Sequence, residues 1–157
     1  MSYTLQPLMR IRQMREDRAA GELTAARQAL AAAEEALAAR KRDLAEYEDT
    51  KEERRDRIYA AIIGRAVSRD QIDIANEGVA RIDEEGALKA DNVVRAEGEV
   101  HEREAAAEAA RVNLTAATKN RMKIDEHKSV WLQAEAAEQE RLAEGELEDF
   151  IVRKPEI

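Results

Sequence analysis

The chain has 157 residues, a net charge of −8, 38% charged and 3% aromatic residues, and no cysteine. So few large apolar side chains exclude a thick globular core, and the abundance of Ala, Glu, Arg and Leu is that of a coiled coil or long helix. The acidic balance argues against a general nucleic-acid binder, and the missing cysteines exclude disulfides, thiolate metal sites and a cysteine nucleophile.

The first ten residues lack the apolar stretch of a signal peptide, and no run approaches the ~20 apolar residues that span a bilayer. A cytoplasmic protein without direct membrane insertion is therefore expected. Pro7 suits a first helical turn, where its missing N–H is no loss. An apolar stripe then starts with Leu5, Leu8, Ile11 and Met14, interleaved with Arg10, Arg12, Arg15 and Arg18. Leu23, Leu30, Leu37 and Leu44 follow on strict heptad spacing, with Ala19, Ala26, Ala33, Arg40 and Tyr47 as the companion row. The register runs on through Lys51, Arg54 and Ile58 to Ala61. A heptad sustained this long imposes a supercoil.

The break comes at Gly64, which adopts the left-handed C′ conformation without a Cβ penalty. Ser68 followed by Gln71 reads as a capping box that restarts the helix, and Val67 with Ile72 has the spacing of a hydrophobic staple. Beyond it, Ile72, Val79, Gly86, Val93, Val100, Ala107 and Leu114 form one row. The other holds Ala75, Ile82, Lys89, Ala96, Arg103, Ala110, Ala117, Ile124 and Trp131.

If the chain folds back between Ala66 and Val67, facing residues have numbers that sum to about 133, so a meets d across an antiparallel pair. Tyr47 then faces Gly86, Leu37 faces Ala96, Leu23 faces Ala110 and Ala19 faces Leu114. Large meets small in each layer, which fills a seam without voids. The expected fold is all-α. It is an antiparallel two-helix coiled-coil hairpin with an extended C-terminal helix, forming one elongated domain. Its parts are helix 1 over about 7–63, a turn at 64–68, helix 2 over about 69–150 and a short tail at 151–157. Tyr47 and Tyr59 are structural in this reading. After Trp131 the chain has no partner in the hairpin. It is acidic as far as Phe150 and carries an apolar trio, Leu147, Phe150 and Ile151, before Arg153, Lys154 and Pro155.

No catalytic constellation is present, and no enzyme, metal site or cofactor is expected. His101 and His127 belong to no HExxH pattern, and Glu97 with His101 is a solvated coincidence among abundant carboxylates. No Gly-x4-Gly-Lys-Ser/Thr loop occurs. Interaction surfaces remain. The Arg10–Arg18 series either grips an acidic partner or is a solvated face paired with Glu16 and Asp17. Trp131 either caps the seam or anchors a partner. Leu147, Phe150 and Ile151 either dock on another protein or fray.

Three features together resemble one family: the run Leu5-x-x-Leu8-x-x-Ile11-Arg12-x-x-Arg15-Glu16, the turn Ile63-Gly64-Arg65-x-Val67, and the distal Trp131. They resemble the YscO/SctO stalk proteins of type III secretion, relatives of the flagellar FliJ. That resemblance implies a protein at the cytoplasmic base of an injectisome that contacts a hexameric secretion ATPase and an export-gate protein. It extends the partners to export chaperones, for which no contact residues match here. On this reading the ATPase-docking residues are Leu8, Arg10, Ile11, Arg12, Arg15, Trp131, Leu147, Phe150 and Ile151. Those meeting the export gate are Ile63, Gly64, Arg65, Val67 and Ser68. A free holdase or adaptor with no ATPase partner is the alternative. A membrane-surface helix is disfavoured, because anionic lipids recruit basic segments and the tail is acidic.

Overall fold

The computed structural model describes residues 2–153. Among them are two helices, α1 over Gln6–Ala60 and α2 over Arg69–Val152, and no strand. The fold is an all-α helical hairpin. Its helices contribute to two compact units: Met1–Leu23 with Ala110–Ile157, which carries the termini, and Thr24–Ala109, which carries the turn.

In the turn-bearing unit the buried apolar residues are Ala33, Tyr47, Ala75, Ile82 and Val100. All five belong to the heptad rows read from the sequence. The decisive layer is Tyr47 on Gly86. A Cβ added at Gly86 would stand 2.5 Å from Tyr47 Cε1 and 2.6 Å from Cζ, so no larger residue fits beneath the ring. The Tyr47 hydroxyl donates to the Ile82 carbonyl at 2.7 Å, which satisfies its polar tip inside the seam. Cross-helix ion pairs flank this layer: Arg54 with Glu85 at 2.7 Å, and Arg55 with Asp83.

Four row positions in this unit are exposed instead of buried, for two reasons. Arg40 and Arg103 turn outward to Asp43 and Glu99, because a guanidinium in a dry seam would need a buried counter-charge. Ala61 and Ile72 face each other by the mirror rule, but α1 closes at Ala60, so Ala61 has left the helix and Ile72 has no helix opposite it.

The early close corrects the expected end near residue 63. The N–H groups of Ile62 and Ile63 both reach the Tyr59 carbonyl, at 3.0 and 2.9 Å, so the last turn tightens and leaves the α-helix. Gly64 has φ +73°, the left-handed stop expected there. Ser68 Oγ accepts from the Gln71 N–H at 3.3 Å, and the Ser68 N–H donates to Gln71 Oε1 at 2.9 Å, a complete capping box.

In the terminus-bearing unit the buried residues are Tyr3, Ala19, Leu23 and Ile124. The last three are heptad positions; Tyr3 precedes α1. At the C-terminal side α2 extends to Val152, so Ile151 and Val152 of the expected 151–157 tail are helical, and residues 154–157 lie outside the described residues.

Gly86→Leu should overpack the Tyr47 layer and cost about 1–3 kcal/mol. Gly98→Ala, with nothing within 4 Å of the added Cβ, should instead stabilise the helix by up to about 1 kcal/mol. Thermal unfolding of the two variants checks the contrast, and equal shifts in one direction would contradict the layer.

Candidate functional site

The terminus-bearing unit is built around an aromatic cluster. Residues 2–5 precede α1, and the Gln6 N–H bonds back to the Tyr3 carbonyl at 3.1 Å. This turn lays the Tyr3 ring against α2. Its centroid stands 5.2 Å from that of Trp131, tilted by 50°, and 5.8 Å from that of His127. The Tyr3 hydroxyl meets His127 Nδ1 at 2.5 Å, donating to it when the imidazole carries its proton on Nε2. Lys128 Nζ donates to Gln6 Oε1 at 3.2 Å and closes the same corner. Trp131 is thus half-buried under Tyr3, a seam-capping arrangement.

The arginine stripe divides. Arg12 is half-buried and donates to the Asn120 carbonyl at 2.8 Å, while Arg10 and Arg15 are exposed. Glu16 is engaged across the seam by Arg121 at 2.5 Å, and Arg121 also holds Asp125 at 2.6 Å. Those carboxylates, Glu16 first, push the Arg121 pKa up and hold it charged. Leu8, Arg12 and Arg15 line one cavity of about 330 Å³ with Asn113, Ala116, Ala117 and Asn120. Ile11 is 46% exposed and, like Arg10, lies outside that lining. Farther along α2, Leu147, Phe150 and Ile151 are 62%, 70% and 70% exposed. Seven of the nine residues grouped from the sequence therefore form three features, a lined cavity, a covered tryptophan and an open apolar stripe, and Arg10 and Ile11 stand apart as exposed positions on α1.

The turn-bearing unit presents a groove of about 580 Å³. Arg65 and Val67 line it, whereas Ile63, Gly64 and Ser68 do not. Its other walls include Ile58, Ile62, Ile74, Gly78 and Arg81. A Cβ at Gly78 would come within 3.2 Å of Ile58 Cδ1, so the glycine allows close approach there. A second cavity shares Ile58, Gly78 and Arg81 and adds Arg54 and Glu85. The hydrogen bond from Arg54 holds the Glu85 carboxyl below its ordinary range and raises the guanidinium in turn. Both groups stay charged, and on an exposed surface such a pair orients more than it stabilises.

Tyr3, Gly78, Ile74 and Arg81 were not singled out in the sequence, and His127 was considered only as a metal ligand. The mirror rule, extended past Pro7, pairs Tyr3 with Val130, next to Trp131, but it holds only for helical residues and Tyr3 precedes α1. His101 lies beside Glu104, at 3.6 Å, and among the described residues no three His, Cys, Asp or Glu side chains gather as a metal site. No helix among the described residues is long and apolar enough to cross a membrane.

The family model described as "Type III secretion protein YscO" matches residues 5–153. The chain belongs to the YscO family. It is a type III secretion component, and membership associates it with the secretion apparatus. A solved structure from Chlamydia trachomatis, of CT670, described as a candidate YscO homologue, is similar with a TM-score of 0.74 and 21% identity. The likeness covers 96% of this chain and 92% of that one, and at this identity it speaks for the fold. No curated protein matches the chain.

Replacing Tyr3 with Ala should uncover Trp131, the single tryptophan. Its emission should move to longer wavelength and become more quenchable by acrylamide, with helicity by circular dichroism retained. An unchanged spectrum would contradict the Tyr3–Trp131 contact.

Proposed function

We propose that this YscO-family protein is a central-stalk component that couples a hexameric secretion ATPase to the export gate at the cytoplasmic base of the apparatus. The terminus-bearing unit docks on the ATPase, and the turn meets the export gate. The family resemblance supplies the idea of a stalk entering a ring. The observation that carries the assignment of ends is the difference between their surfaces.

The terminus-bearing unit offers exposed cations at Arg10 and Arg15, a polar cavity beside Leu8, and an unpartnered apolar stripe at Leu147, Phe150 and Ile151. That mixture suits a pore of mixed charge, where rim charges mainly steer assembly and apolar anchors hold it. The turn offers a narrower surface around Arg65 and Val67. Export chaperones are further partners on this reading, with contacts unassigned.

ATP hydrolysis by the cognate ATPase, measured against added protein, tests the assignment. Truncation after Trp131, or Arg12→Glu with Arg15→Glu, should abolish stimulation while circular dichroism still reports a helical protein. Arg65→Ala should stimulate as the wild type does and lose pull-down of the export-gate protein. Loss of stimulation confined to Arg65→Ala would invert the assignment, and a chain that never stimulates would favour a free holdase.

A further inference from the structure

The turn groove and the end of α2 are complementary surfaces, and each is left uncovered among the described residues. The groove is apolar along Ile58, Ile62, Val67 and Ile74, with Arg65 and Arg81 on its walls and no carboxylate in its lining. Among the described residues neither arginine makes an ion pair. Its volume of about 580 Å³ is enough for several side chains, within the roughly 300–1,000 Å³ of ordinary binding clefts.

The end of α2 has the opposite character. Leu147, Phe150 and Ile151 fall at i, i+3 and i+4, so they share one helical face. At 100° per residue, Glu144 and Glu148 border that face on one side and Glu146 on the other. All three apolar side chains are more than half exposed, which makes the stripe a docking surface and not part of a core.

We propose that the turn groove receives the acidic, apolar end of α2 from a second copy of this chain. Phe150 and Leu147 fill the apolar floor, while Glu144, Glu146 and Glu148 meet Arg65 and Arg81. The carboxylates set orientation and discriminate against uncharged stripes, and the apolar contacts hold the pair. Because the two surfaces differ, the contact is heterologous: a dimer keeps one free groove and one free end, and further copies can add. The end of α2 is also assigned above to the ATPase, so self-association and ATPase docking compete for it. The self-contact itself does not depend on that assignment.

Sedimentation of the full-length chain tests this without any ATPase. Wild type should rise reversibly in mass with concentration, beyond a dimer, and less so at high salt. A groove variant, Arg65→Glu with Arg81→Glu, should stay monomeric, as should an end variant, Leu147→Glu with Phe150→Glu. Both sets lie on exposed positions, so circular dichroism should remain that of the wild type. An equimolar mixture of the two variants keeps one intact groove on one molecule and one intact end on the other. Across that contact the groove variant supplies the end and the end variant supplies the groove, so the mixture should form a dimer and stop there. A monomeric wild type at all concentrations, or a mixture that stays monomeric, would overturn the proposal.

Discussion

The fit of the Tyr47 ring over Gly86 is the constraint on which the turn-bearing unit depends. Its seam is otherwise made largely of alanine and medium aliphatic residues, and such a seam is nearly equivalent to itself after a slip of one heptad. A phenol that fits only over a glycine removes that degeneracy. The hydroxyl bond to the Ile82 carbonyl fixes the ring along the second helix as well as across it. The ion pairs Arg54–Glu85 and Arg55–Asp83 then fall into place on the turn side of that layer. They follow from the register and do not set it, since exposed pairs contribute little.

A seam this thin has a functional consequence. It buries alanines, a few aliphatic side chains and two of the three tyrosines, and leaves most of each helix to solvent. Among the described residues the helices enclose little beyond that seam. The two-helix pattern is interrupted at the turn, where α1 closes at Ala60 and α2 begins at Arg69, and α2, at 84 residues, is longer than the 55-residue α1. Membership of the YscO family associates the chain with a secretion apparatus. Exposed isoleucine and phenylalanine at such places are what a component that works by docking would display.

Much of the fold was legible because heptad spacing and turn chemistry are local and redundant. Gly64, the Ser68–Gln71 box and the rows of Leu23 and Ile82 all specify one fold-back, and Tyr47 facing Gly86 followed from it. What escaped was non-periodic. Tyr3 lies before the first helical residue, so no heptad predicted its burial against Trp131. Arg40 and Arg103 kept the spacing but not the burial, because spacing says nothing about where a long cation places its head group. The candidate site was less legible than the fold. Arg65 and Val67 line the turn groove, but its other arginine, Arg81, comes from α2 and is joined to them only in three dimensions. Arg12, grouped from the sequence with the docking cations, is committed to the Asn120 carbonyl.

A double-mutant cycle on the central layer tests the register most directly. Gly86→Ala should lower the melting temperature in the wild-type background, because the added Cβ collides with the Tyr47 ring. In a Tyr47→Ala background the same change should raise it, since alanine is the better helix former by about 1 kcal/mol and nothing remains above it. A sign reversal between backgrounds is the expected result. The same shift in both would mean that the ring does not sit over the glycine and that the register lies elsewhere.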